Sequence, residues 1–114
     1  MTITRRDLAL GTAAIGLATP ALAQTPEPIR LGWLAAMTGP SSAPAVGFDR
    51  GVRFAAEAIN AAGGVRGRRL EVITRDTQGD PTKAVNATQE MISQLRVHAI
   101  WGPTNSGESL AVTA

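Results

Sequence analysis

The sequence contains no cysteine, which rules out disulfides, thiolate metal sites and a cysteine nucleophile. Its single histidine, His98, removes most imidazole metal sites and most general-base schemes. His98 lies in an apolar run and is expected in a strand or just ahead of one. No apolar stretch reaches the roughly 20 residues that a membrane-spanning helix needs. No lysine follows the glycine of Thr38-Gly39-Pro40, so there is no Walker A loop, and no three-glycine fingerprint joins a strand to a helix. Ser106 lacks the flanks of a nucleophile elbow. No cofactor, metal or catalytic step is therefore expected. Excess charge is also missing. With Arg5, Arg6 and Asp7 set aside, nine basic residues face eight acidic ones. Arg66, Arg68 and Arg69 crowd a glycine-rich turn, but no aromatic residues interleave with them for base stacking, so a solvated turn is expected and no nucleic-acid partner.

What is present begins with a leader. Met1 to Ala23 reads as a targeting segment: a charged start at Arg5-Arg6-Asp7, a mildly apolar stretch from Leu8 to Ala18, and a small-x-small cleavage signal at Ala21-Leu22-Ala23. Paired arginines ahead of a weakly apolar, Gly- and Ala-rich core resemble a twin-arginine export signal. That pattern prefers Phe and Leu where Leu8 and Ala9 stand, and the alternative is a Sec signal with two arginines in its basic start. By either route residues 24–114 are expected in the periplasm, with cleavage after Ala23.

Residues 24–114 alternate strand and helix patterns. Ile29 to Ala36 is a largely apolar run suited to a parallel strand covered on both faces. A helix is expected to start within Pro44–Phe48, burying Phe48, Val52, Ala55 and Ile59 and exposing Asp49, Arg50, Arg53, Glu57 and Asn60. Gly63-Gly64 stops it. Leu70 to Asp76 forms a second strand. Asp80-Pro81 then opens a second helix, the aspartate as N-cap and the proline at the first position, where a missing donor costs nothing. Its buried face is expected to carry Pro81, Ala84, Val85, Thr88, Ile92 and Leu95. Val97 to Gly102 is the third strand. Trp33 is assigned to the core; Trp101 ends the third strand, where it either edges the cleft or, the preferred reading, packs beneath the second helix.

A β-α-β-α-β series is expected to give an α/β fold with a parallel sheet, flanking helices and right-handed crossovers. With strand order 2-1-3, the chain would reverse direction between the first and third strands, where open α/β sheets bind ligands at the carboxyl ends of their strands. Two polar loops fall there, Thr38-Gly39-Pro40-Ser41-Ser42 and Pro103-Thr104-Asn105-Ser106-Gly107. The second enters another helix, so its hydroxyls and the amides of Ser106, Gly107 and Glu108 suit a carboxylate. Ser106 or Asn105 acting only as a helix cap is the competing reading. A third strand left at a sheet edge is a poor design for a free-standing domain. The chain accordingly reads as the N-terminal part of a larger protein.

Ala36-Met37-Thr38-Gly39-Pro40, the helix ending Ile59-Asn60-Ala61-Ala62-Gly63-Gly64-Val65-Arg66-Gly67, and Asp80-Pro81 together resemble the leucine/isoleucine/valine-type periplasmic binding proteins of ABC transporters. The resemblance spans Ile29 to Ala114. It implies the beginning of the first of two α/β lobes that close around a small ligand, with no enzymatic activity. The alternatives are a ligand-sensing domain of the same fold feeding a regulatory protein, which the cleavable leader argues against, and an exported flavodoxin-like or Rossmann-like enzyme. It implies that Ser106 binds a ligand carboxylate, that Thr104, Asn105 and Gly107 belong to the ligand loop, and that Pro44 stands where some members carry a cleft-lining aromatic residue. The proline departs from that pattern and leaves the ligand open among branched-chain and other amino acids, amides, urea and aromatic acids. The implied partners are that ligand and a membrane permease, with the full-length receptor a monomer.

Overall fold

The computed structural model describes residues 25–114, so the expected leader lies outside the described residues. Three parallel strands form one sheet: β1 (Ile29–Ala35), β2 (Leu70–Asp76) and β3 (Ala99–Trp101), in the order β2-β1-β3. Three helices accompany them: α1 (Ser42–Ala61), α2 (Pro81–Ser93) and α3 (Ser106–Thr113). In register, Trp33 lies beside Thr74 on β2 and Trp101 on β3. The parallel α/β expectation holds, and the order is the 2-1-3 arrangement on which a switch-point site depends.

Side chains alternate across β1, so its two faces meet different helices. Trp33 and Ala35 point toward α1 and form a core with Ala45 and Val52. On the opposite face Gly32 admits Met91 of α2. A Cβ at position 32 would lie 2.6 Å from the Met91 sulfur. The Arg75 guanidinium reaches both oxygens of Glu90 at 2.7 and 3.0 Å and ties β2 to α2 on this same face.

Helix α1 begins at Ser42, ahead of the expected window, and Pro44 sits in its first turn, where the missing N–H has no intrahelical partner to lose. The buried stripe differs from the expected one. Ala45, Asp49 and Val52 are buried, whereas Phe48 is 59% and Ile59 38% exposed. The helix lies over β1 and β2, leaving its β3-facing side uncovered. Asp49, expected outside, is drawn in beside Arg53, whose Nε donates to it at 2.8 Å and whose Nη2 reaches Thr74 at 3.1 Å.

The glycine stop is as expected. Gly63 and Gly64 both have positive φ, and their amides return to Asn60 and Ile59. Asp80 caps α2 by accepting from the amides of Thr82 and Lys83. Along α2 the buried positions are Ala84 and Met91. Ile92 is 62% exposed, so the inferred stripe is displaced by one position at its far end.

The arginine turn is structural. Arg68 donates to the Glu27 carbonyl at 2.7 Å and stands 3.3 Å from His98 Nε2. His98 itself exchanges two bonds with the Arg30 backbone just ahead of β3, as a residue leading into a strand should.

Candidate functional site

The three loops leaving the carboxyl ends of β1, β2 and β3 meet at one end of the sheet. The β1 strand ends at Ala35, and the amide of Ala36 donates to the Thr104 hydroxyl at 3.3 Å. That bond joins the first loop to the third across sixty-eight residues of sequence. Gly79, in the β2 loop, faces Ser41 and Asn105. A Cβ there would sit 3.6 Å from the Ser41 hydroxyl and 3.8 Å from Asn105 Nδ2. Gly102 brings the third loop close to β1. Its φ is +95°, and an added Cβ would stand 2.1 Å from the Leu34 carbonyl oxygen, a backbone atom that cannot move aside.

Helix α3 starts within this cluster. Asn105 is its N-cap, with extended backbone and a side-chain oxygen accepting from the Glu108 amide at 2.9 Å. Asn105 Nδ2 in turn donates to the Glu108 carboxylate, so the cap and the third helical residue hold each other through their side chains. Glu108 is fully buried, and its second carboxylate oxygen has no hydrogen-bond partner among the described residues. Of the two residues named as possible caps, the structure uses one. Asn105 caps, and Ser106 occupies the first helical position with its side chain exposed.

A shallow depression of about 480 Å³ is lined by Pro103, Thr104, Asn105, Ser106, Ser109 and Leu110. It holds Thr104, Asn105 and Ser106 together, and Gly107 follows, exposed, in the first turn. Pro44 is exposed in the first turn of α1 and is not among the residues lining this depression.

Asp76 was absent from the sequence-derived site, being read only as the last residue of a strand. Its Oδ1 accepts from the amides of Met37 at 2.9 Å, Thr38 at 3.3 Å and Gln78 at 2.9 Å, and its Oδ2 accepts from the Thr38 hydroxyl at 2.6 Å. Partial desolvation works against its charge, but the bonds from Thr38, Gln78 and Met37 outweigh it and hold the carboxyl below the ordinary aspartate value. An aspartate at a strand end, two residues before Gln78-Gly79, is a side chain able to accept from its own turn, and that was the available sign.

Trp101 also departs from expectation. It does not lie beneath α2. It stands 57% exposed on the α1 face, edge-to-face with Trp33 at 5.8 Å between ring centres. Strand register requires this, because Trp101 pairs with Trp33 and shares its face. With Leu31, Phe48 and Ile59 the two tryptophans line an apolar groove of about 540 Å³ between α1 and β3.

Comparisons with known proteins agree with this geometry. The family described as "Periplasmic binding protein" matches residues 28–114. A substrate-binding protein of a chemotactic signal transduction system from Halobacterium salinarum is 35% identical over 89 residues, which is 76% of this chain and 22% of that protein. A Leu/Ile/Val-binding protein homolog from Brucella abortus is 34% identical over 107 residues, covering 93% of this chain and 26% of its own length. Among solved structures, a branched-chain amino acid transporter substrate-binding protein from Streptococcus pneumoniae, in complex with isoleucine, superposes with a TM-score of 0.72. It is 30% identical over 75% of this chain and 24% of its own. The chain thus spans about a quarter of the length of its relatives, which are binding proteins by description. Three loops converging at the switch point of a 2-1-3 parallel sheet, together with a family match over nearly all of the described residues, make this chain a member of the periplasmic binding protein family.

Proposed function

We propose that this chain supplies part of the first lobe of an exported solute receptor that binds an amino-acid-like ligand and passes it to the permease of an ABC transporter without chemical change. The observation that carries the reading is the exposed Ser106 at the first position of α3, left free because Asn105 performs the capping. A hydroxyl and unpaired amides at a helix N-terminus accommodate a carboxylate without a counter-charge. In this reading Ser106 and the Gly107 amide hold the carboxylate, Thr104 and Asn105 shape the loop around it, and Pro44, outside the depression, has no contact role. Relatives described as Leu/Ile/Val-binding, and one holding isoleucine, support a branched-chain or similar ligand. The receptor acts as a monomer.

Residues 1–23 serve as the export leader, cleaved after Ala23. Replacing Arg5 and Arg6 together with lysine keeps the charge, so a Sec signal would tolerate it while twin-arginine export would stop. Normal periplasmic accumulation of that double variant would assign the Sec route.

The receptor reading is tested by calorimetry on full-length protein with leucine, isoleucine, valine, amides, urea and aromatic acids. Saturable binding of a panel member is expected, and no binding across the panel would overturn it. A second reading has one observation behind it, the relative from a chemotactic signal transduction system. There the same lobe would report its ligand to a signalling partner. A ligand-dependent change in swimming bias, with uptake unaffected by deletion, would favour it.

A further inference from the structure

We infer that Asp76 is the positioning residue of the ligand rim, setting the first loop against the loop that carries Ser106; the inference rests on the receptor reading above. Asp76 ends β2 and is itself exposed, so it is not there to fill a core. Its carboxylate gathers four donors from two loops: the amides of Met37, Thr38 and Gln78, and the Thr38 hydroxyl. No other single side chain among the described residues accepts as many hydrogen bonds. The segment it holds has no ladder or helix of its own between Ala35 and Ser42. Apart from Asp76, the segment is tethered by the Ala36 amide to Thr104, by the Thr77 amide to the Ala35 carbonyl at its edge, and by turn bonds such as Ser42 to Gly39, at 3.2 Å.

The same short segment is gripped from the other side. The Ala36 amide donates to Thr104, next in sequence to Asn105 and two residues before Ser106. Ala36, Met37 and Thr38 therefore form a bridge with Asp76 on one side and the ligand loop on the other. On its own strand end Asp76 also stabilises Gln78, whose φ of +57° is uncommon for a residue with a side chain. Gly79 follows and packs against Ser41 and Asn105, so the β2 loop reaches the same rim. Losing the carboxylate releases the first loop, and with it the Thr104 anchor, before any ligand atom is touched.

The test uses full-length protein, with L-isoleucine as the first probe and the wider panel behind it. Asp76→Ala is expected to lower affinity about tenfold, the size of one lost positioning bond to a charged group. Asp76→Asn keeps an acceptor for the three amides and is expected to restore most of that loss. Hydrogen exchange in the ligand-free protein supplies a readout at the rim itself: the amides of Met37, Thr38 and Gln78 lose protection in the alanine variant while those of β1 do not. Lost protection with wild-type affinity would make Asp76 a loop fastener only and overturn the inference while leaving the receptor reading intact. Lowered protection throughout β1 would show a general loss of fold and overturn it as well. Wild-type protein that binds no member of the panel would overturn the receptor reading, and this inference with it.

Discussion

At the scale of single residues, the division of labour between Asn105 and Ser106 gives opposed expectations. Ser106→Ala is expected to weaken a carboxylate ligand by about ten- to a hundredfold, since a bond to a charged group contributes roughly 1.5–3 kcal/mol, with little change in melting temperature. Asn105→Ala removes the cap itself, which costs about 1 kcal/mol of stability, and it also frees the buried Glu108 from its Asn105 partner. Calorimetry and thermal melts of the two variants separate these effects, and the assignment fails if Ser106→Ala proves the less stable of the pair. Titration gives a further expectation. Asp76 is held below the ordinary value by its loop donors, and Glu90 by the paired hydrogen bonds of Arg75. Both carboxylates are thus better accommodated ionised in the folded state. Their stabilising effect is complete above the ordinary carboxylate range near pH 4 and is lost as pH falls through their lower folded values. A melt series from pH 6 to pH 2 should show the wild type losing stability faster than Asp76→Asn on the acid side.

At the scale of elements, Gly102 is the position where substitution is expected to be most disruptive. A Cβ there meets the Leu34 carbonyl oxygen, so Gly102→Ala must push β3 away from β1 or strain the backbone. We expect loss of the cooperative melt or a large fall in its midpoint, whereas an alanine at Gly47, inside α1 with open space around it, should keep the melt cooperative and leave the midpoint equal or slightly raised. Element order, the stop at Gly63-Gly64 and the helix start at Asp80-Pro81 were legible in the sequence because each rests on local chemistry: apolar runs, glycine conformations and a capping carboxylate. The stripes on α1 and α2 were less legible. Periodicity identifies an apolar arc, but which side of that arc is covered depends on where the helix lies across the sheet. Phe48 and Ile59 fit the helical period and remain exposed because α1 sits over β2 and not β3. Trp101 was misplaced for a related reason, since its face is set by register with Trp33, a pairing sixty-eight positions away that no local pattern encodes. At the candidate site, the loop of Thr104, Asn105 and Ser106 was legible as a polar loop entering a helix. Asp76 was not, because its partners are backbone amides of another loop and leave no mark in composition.

At the scale of the whole molecule, the apolar groove between α1 and β3 governs how this segment behaves by itself. Phe48, Ile59 and Trp101 stand open to solvent together with the buried Trp33 at the groove floor. A contiguous apolar surface of this kind on a small sheet promotes association. Residues 25–114 expressed alone are therefore expected to bind hydrophobic dyes and to melt without cooperativity. A monodisperse, cooperatively melting 25–114 segment would show that the groove is tolerated as a free surface.

The hydrogen bond between the Ala36 amide and Thr104 has a kinetic consequence. It is made entirely within the protein, so in the proposed receptor the first and third loops are already held together before a solute arrives. Little ordering of this half of the rim remains to be done during encounter, and the entropic cost of arranging it falls on folding instead of on capture. Solutes small enough to enter should therefore associate at similar rates, whatever their side chains. Preference among them would then be expressed in residence time, with the favoured solute distinguished by how slowly it leaves.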